Sequence, residues 1–493
     1  MSADSDDKDI QALAKGGRTN VFGFVLRLAA RIPFLFIAGR WYGEEALGRF
    51  AYAVLVVELA AQLATLGLKR GLAEQLSANK RHPVWVVWDA LLLGALASAL
   101  GAVLLALFPQ IMFPNSRING LEAFLPLTIF ALAGSDIALA ALAYRHDVAS
   151  TVRARAVVEP WAISIGAFGF SYYSLRDGLI LSYVVSMLAA LVASLWPFVR
   201  AYGLPQGWRP HPGVLFATVR RNVPLAAADA IEWASRRIDI AILGLFFSPA
   251  TVGIYYVAQQ VASLPQKLKT SFDPILGPVI TRNLEAGNRI AVARQVGQVG
   301  FWIIAAQTGI GLALGLPGEA VMGLVGAGFV SGTAALAFLL AAEAVAATAA
   351  VSESALVYVA RHFNLMISLA MIAVQAVLSV VFILVLRRVG FSLELQAAGP
   401  AMALCAALGL ASIAKAKLLS RLLGEPVSGW RWALVWASGA AIVVGSLFTM
   451  LPPSLEWLEL LGGIPAILGI YGLIIWRKGF GPNDRALFAK KKA

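Results

Sequence analysis

Fourteen apolar runs follow one another along this chain, each roughly the 17–25 residues that cross a bilayer as a helix. They cover about 19–40, 46–68, 84–108, 123–143, 157–175, 178–199, 223–247, 250–275, 296–316, 331–358, 363–386, 397–416, 430–450 and 459–476. Lipid offers no partner for an open backbone group, so such runs can only be helices or a closed barrel. Runs this long and uninterrupted choose helices. Composition agrees: 59% of the 493 residues are hydrophobic and 14% charged, against about 25% charged in soluble domains. The expected fold is an all-α polytopic membrane protein with about fourteen spans.

The distribution of charge orients them. With the N-terminus inside, 28 of the 40 Lys and Arg fall in cytoplasmic segments and six on the opposite side: Arg40, Arg49, Arg117, Arg176, Arg387 and Arg388. That asymmetry follows the positive-inside rule and places both termini in the cytoplasm. It also accounts for the net charge of +13, which therefore does not indicate a nucleic-acid partner. The start, MSADSDDKD, is acidic and polar; it reads as a disordered tail rather than a cleavable signal. A single cysteine, Cys405, excludes an intramolecular disulfide, and four dispersed histidines argue against a metal site.

Six cations remain inside spans, away from their ends: Arg27, Arg31, Arg236, Arg237, Lys267 and Lys269. An internal repeat relates some of them. Residues 29–65 align without a gap over 234–270, an offset of 205, with ten identities that include Arg31/Arg236, Gly39/Gly244 and Gly48/Gly253. The offset spans six helices, an even number, so both copies cross the membrane in the same direction. Parallel repeats of this kind bind substrate between their halves near the midplane. The expected organisation is a cytoplasmic tail (1–18), an N-lobe of six spans (19–199), a cytoplasmic interlobe linker (200–222), a C-lobe of six spans (223–421), spans 13 and 14 outside the repeat (422–476) and a basic cytoplasmic tail (477–493). At about 1.5 Å of rise per residue, Arg31 lies roughly 18 Å into span 1, near the bilayer centre, and Arg236 matches it. Intramembrane charges usually face a bundle interior or an aqueous path.

Span 7 carries Asp229, Glu232, Arg236 and Asp239 at helical spacing, which expects all four on one face of a continuous helix. Glu58 in span 2 is a further intramembrane carboxylate; Asp136 and Glu343 are weaker candidates, balanced against plain hydrogen-bonded structure. What is missing narrows the chemistry. There is no phosphate-cradling G-x-x-x-x-G-K-[ST] loop, no G-x-S-x-G and no H-E-x-x-H. An enzyme is not expected.

Several stretches resemble the oligosaccharide flippases, such as the O-antigen flippases, of the multidrug/oligosaccharidyl-lipid/polysaccharide exporter superfamily. They are the span 1 pattern, LGLKRGLAEQLS (66–77), RRIDIAILG…VGIYYVAQQ (236–260), GAGF before span 10, VARHFNLMI (359–367) and AAGPAMALCAA (397–407). The resemblance implies a two-lobed transporter of the bacterial inner membrane. It would turn a polyprenyl-pyrophosphate-linked oligosaccharide from the cytoplasmic to the periplasmic leaflet for lipopolysaccharide or related glycan synthesis. It implies a cationic central cavity for the pyrophosphate, with Arg31 and Arg236 central and Arg27, Arg237 and Lys267 beside them. Asp229, Glu232, Asp239 or Glu58 would couple transport to H⁺ or Na⁺, and a glycan polymerase is a conceivable partner. A cation-coupled drug or metabolite exporter of the same superfamily and a lipid-linked cell-wall precursor flippase are the alternatives. Guanidinium forks suit phosphate oxygens, whereas a site for cationic drugs should be rich in acids.

Overall fold

The computed structural model describes residues 32–78, 81–114, 120–235, 237–269, 280, 283–284, 288–452, 455–481 and 484–487. Those residues are mostly helical, with no strand among them, and ten of their helices are long and apolar enough to cross a membrane. The chain divides into two compact units, Ala29–Gly253 and Ile254–Ala493.

In the first unit, helix runs from Ile32 into a π-turn at Ala38–Tyr42 and restarts at once as α1 (Gly43–Ala64). The loop expected between spans 1 and 2 is therefore a single point, Gly43, whose φ of 79° suits glycine. Leu66 and Gly67 turn through positive φ into the short α2 (Leu68–Ser77). Then come α3 (Pro83–Leu107), α4 (Thr128–Tyr144), α5 (Val148–Val152) and α6 (Glu159–Ser171), the last two joined by a π-turn at Arg153–Val158. The unit continues with α7 (Gly178–Tyr202), α8 (Pro212–Ser235) and α9 (Ile238–Phe246), and it takes in the start of α10 (Pro249–Lys269). Its core joins Leu68, Leu72 and Leu76 of α2 to Val87, Ile137 and Phe198.

The stretch read as a linker, 200–222, is helical up to Tyr202 and again from Pro212. The nine residues between are held down on α3. The indoles of Trp85 and Trp88 donate to the carbonyls of Gln206 and Gly203, each at 3.2 Å. Trp208 Nε1 donates to the buried Asp89 carboxylate at 2.8 Å, and Arg81 pairs with the other oxygen of Asp89. A carboxylate inside a span is costly unless paired, which explains why Asp89 is neighboured by both groups.

In the second unit, α11 (Arg289–Gly315), α12 (Gly318–Gly323), α13 (Thr333–Val359), α14 (Arg361–Val389), α15 (Leu393–Ala397) and α16 (Gly399–Leu423) precede α17 (Trp432–Thr449) and α18 (Ile464–Ile474). α13 packs on α11, α14 and α16. Most of α14 faces outward and is strongly apolar, as a lipid-facing helix must be. Spans 13 and 14, which lie outside the repeat, dock on α11: a Cβ on Gly309 would stand 2.9 Å from the Tyr471 ring, and Tyr471, Ile467 and Ala437 share a core with Phe301 and Trp302.

The chain beyond α18 is tied back to α11 through Asp484. Its carboxylate accepts from Trp302 Nε1 at 2.8 Å, Gln298 Nε2 at 3.0 Å and the Gly481 N–H at 2.8 Å, and it pairs with Arg431. The Arg431 guanidinium also stacks over Phe301, 3.9 Å from the ring centre. Burial pushes the Asp484 carboxyl up, but the Arg431, Gly481 and Trp302 hydrogen bonds outweigh it and leave it below its ordinary range. A depressed folded pKa stabilises at pH above the unfolded value, and that contribution is lost as pH falls through the folded one. The melting temperature is expected to drop between pH 7 and about pH 3, and by less in Asp484→Asn, which is read by thermal denaturation of both proteins in detergent.

Candidate functional site

Span 7 is not one continuous helix. α8 ends at Ser235, α9 begins at Ile238, and Arg237 between them adopts φ −132°, ψ −4°. The break falls at Arg237. It corrects the expected single stripe, because Asp239 now opens the first turn of a separate helix instead of continuing the face of Asp229 and Glu232. Asp239 is buried and accepts the Ile240 N–H at 2.9 Å, within the first turn of α9, where an acid complements the helix dipole. Broken membrane helices that aim an N-terminus inward are suited to anionic groups.

Arg237 faces Glu58 of α1, with Nη2 3.5 Å from Oε2. The Tyr183 hydroxyl, from α7, lies 3.5 Å from the other Glu58 oxygen. Both contacts are long for hydrogen bonds, and both charged side chains are roughly a quarter to a third exposed, at 30% and 27%. Glu58 therefore stands between two donors and is held tightly by neither.

Asp229 faces elsewhere. Its Oδ1 receives Arg70 Nε of α2 at 2.8 Å. Close by, Arg221 of α8 pairs with Glu74. The segment LGLKRGLAEQLS thus supplies a bed for α8. A Cβ on Gly67 would lie 2.6 Å from the Ala226 nitrogen, and one on Gly71 2.0 Å from Asn222 Oδ1.

Two groups escaped the sequence reading. Arg155, counted there among cytoplasmic loop residues, sits in the π-turn of the helical run 148–171. It bonds Glu159 Oε2 at 2.8 Å and pairs with Asp136 of α4, which also faces Lys69 at 3.7 Å. The i, i+4 spacing of Arg155 and Glu159 was the available signal. Asp136 is accordingly a member of an ion-pair network. Lys415 of α16, also counted as cytoplasmic, is buried, 3.1 Å from both Glu353 Oε1 and Ser368 Oγ. Glu343 lies half-buried on α13. Of the other candidates, Arg27, Arg31 and Arg236 lie outside the described residues. Glu232, Lys267 and Lys269 lie in helices whose side chains at those positions are also outside the description.

The repeat shows in burial as well as in sequence. Leu47, Gly48, Phe50, Ala53 and Val57 of α1 are buried, and so are Val252, Gly253, Tyr255, Ala258 and Ala262 of α10, each 205 residues on.

The long apolar helices, one of them interrupted at Arg237, are those of a multi-pass membrane protein. A family model described as "Polysaccharide biosynthesis protein" matches residues 38–295, more than half of the chain, and the protein belongs to that family. No curated protein sequence matches. Solved structures share the fold. The lipid II flippase MurJ, in an inward closed conformation, superposes with a TM-score of 0.67 at 10% identity, covering 94% of this chain and 98% of that one. An inward-facing multidrug resistance MATE family transporter of the MOP superfamily gives 0.62 at 15% identity, over 81% and 98%. A MOP superfamily transporter from Pyrococcus furiosus, described as having a binding pocket of reverse polarity, gives 0.56 at 13% identity, over 85% and 96%. The fold is that of the MOP superfamily, whose members seen here are transporters and flippases.

Proposed function

We propose that this protein is a lipid-linked oligosaccharide flippase. It moves a polyprenyl-pyrophosphate-linked glycan from the cytoplasmic to the periplasmic leaflet of a bacterial inner membrane by alternating access, and it catalyses no covalent step. The observation that carries the reading is the helix break at Arg237. It brings the positive end of α9 and the Arg237 guanidinium to one place, opposite a loosely held carboxylate. A diphosphate offers the charge and the oxygen geometry that such a place recognises. Arg31 and Arg236, matched by the repeat, would complete the cationic surface, with Arg27 and Lys267 beside them.

In this mechanism the incoming diphosphate competes with Glu58 for Arg237. Glu58, displaced toward the Tyr183 hydroxyl, then takes up H⁺ or Na⁺, which couples binding to the ion gradient. Asp229 and Asp239, engaged with Arg70 and with the first turn of α9, serve the positions of α8 and α9. Both termini lie in the cytoplasm, and spans 13 and 14 leave a face on which a glycan polymerase could dock. Reconstituted vesicles supply the test. Wild-type protein is expected to flip a polyprenyl-diphosphate oligosaccharide, and well-folded Arg31→Ala and Arg236→Ala are expected to fail. Normal flipping by both variants overturns the diphosphate role. Transport of organic cations instead would favour the exporter reading.

A further inference from the structure

A groove opens on the flank of the first unit, among α6, α7 and the helical turn Leu121–Leu127. Its walls are Leu121, Gly166, Gly169, Phe170, Tyr173 and Leu181, none of them charged. It holds about 610 Å³, within the roughly 300–1,000 Å³ of small-molecule sites. The sequence of α6 makes the space. Gly166 and Gly169 are three apart, so they share a helix face. A Cβ on Gly166 would stand 3.1 Å from the Ser182 Cα, which shows how closely α6 meets α7 there. A Cβ on Gly169 would meet nothing within 4 Å. From Gly166 to Tyr173 the wall rises about 10 Å, some two thirds of one leaflet's hydrocarbon.

The groove ends at a change of chemistry. Trp41, Tyr172 and Tyr173 are exposed, and the Trp41 ring packs 5.0 Å from that of Phe168 and 6.3 Å from that of Tyr172. Exposed Trp and Tyr mark the level where hydrocarbon gives way to head groups. In the orientation proposed above, this is the outer surface. Charges stand at the same end. Leu121 of the groove wall is followed by Glu122, which is fully buried and pairs with Arg49 and with Arg176, the latter at 3.4 Å. It is preceded by Gly120, where a Cβ would stand 2.7 Å from Asp177 Oδ2. Asp177 Oδ1 lies 3.7 Å from Arg176 Nε and accepts no hydrogen bond among the described residues. Two guanidiniums and two carboxylates sum to zero here, and Arg176 is exposed.

We propose that the groove is a site for one phospholipid of the outer leaflet whose head group carries both a phosphate and a primary ammonium, a phosphatidylethanolamine. One acyl chain lies along Gly166 and Gly169, between Phe170, Leu181 and Leu121. The phosphate meets the Arg176 guanidinium in a charge-assisted bond, and the ammonium donates to the Asp177 carboxylate. Charge balance selects the lipid. A cluster that sums to zero gives an anionic head group no net attraction, while one charge of each sign matches Arg176 and Asp177. A choline head group has the charges but no N–H for Asp177 to accept. The bound lipid ties the outer ends of α6 and α7 to the 121–127 segment, whatever substrate the protein moves.

Native mass spectrometry of the delipidated protein tests this, with phosphatidylethanolamine, phosphatidylcholine and phosphatidylglycerol of matched acyl chains. Wild type is expected to retain one phosphatidylethanolamine about tenfold more tightly than phosphatidylglycerol, with phosphatidylcholine between them. Gly169→Leu fills the groove where a Cβ has open space, and it should remove the tight site. Gly469→Leu on α18, equally open at Cβ, should keep it. Phosphatidylethanolamine should raise the melting temperature of wild type but not of Gly169→Leu, since only a protein with the site gains from the ligand. Equal retention of the three lipids by wild type, or an unchanged site in Gly169→Leu, means boundary lipid only and overturns the proposal. Asp177→Asn is the second arm, independent of the groove. It should still retain one lipid but lose the preference over phosphatidylcholine. A preference that survives Asp177→Asn, or tighter binding of phosphatidylglycerol to wild type, overturns the head-group assignment.

Discussion

Replacing Arg155 by alanine is expected to cost more stability than any other single change in the first unit. It leaves Glu159 and Asp136 inside the membrane without the guanidinium that bridges them, and Lys69, at 3.7 Å and half-exposed, neutralises only part of the deficit. The side chains of Arg155, Asp136 and Glu159 are 24%, 21% and 23% exposed, so removing the shared partner costs less than for a fully buried pair, roughly 2 kcal/mol, which in a unit of this size lowers the melting temperature by about 6 °C. Thermal unfolding in detergent measures it. Arg155→Met combined with Asp136→Asn and Glu159→Gln should recover most of the loss, because the destabilisation comes from uncompensated charge rather than lost volume. A triple variant as unstable as Arg155→Ala would show that the network does more than balance charge.

The second large effect concerns Glu58 and Arg237, which should respond in opposite directions. Arg237→Ala removes a charge-assisted donor to the diphosphate and should slow flipping by roughly 30-fold, the loss of about 2 kcal/mol. Arg237→Lys should fall between, because an ammonium keeps the charge but not the planar fork. Glu58→Gln relieves Arg237 of its competitor, and polyprenyl diphosphate should bind up to about fivefold more tightly, the scale of a partly exposed ion pair. The same substitution should abolish dependence of flipping on the ion gradient. In the double variant the tightening should vanish, since it acts through Arg237. Titration of the diphosphate lipid against the wild type and the four variants, with flipping measured with and without a pH or sodium gradient, gives all these values.

The long apolar runs made the helical class legible, because a bilayer leaves the backbone few choices. Where runs and helices part company, charge or local geometry intervenes. The helix 148–171 carries Arg153, Arg155 and Glu159 in its first half, so hydropathy sees only its second half as a span. That is how Arg155 was assigned to a loop. The break at Arg237 was invisible for another reason: helical spacing of charges describes a helix only while the helix lasts, and no Gly or Pro marks its end there. Lys415 looked like the basic end of span 12 because sequence gives no depth to a residue in the last turns of a helix. The repeat was the clearest sequence signal. It identified Gly48 and Gly253 as equivalent, and both are buried in the structure.

The tryptophan-held segment between α7 and α8 has a mechanical consequence. Residues 203–211 look on paper like the slack of the molecule, yet three indole hydrogen bonds and a buried carboxylate fasten them to α3. A strut cannot also serve as a joint. Bending along this part of the chain must be taken up farther on, and α8 has a compliant point in Pro224, inside the helix, where the missing N–H leaves one carbonyl of the preceding turn unbonded. The loop thus behaves as a bracket, and the elasticity expected of it resides in the helix that follows.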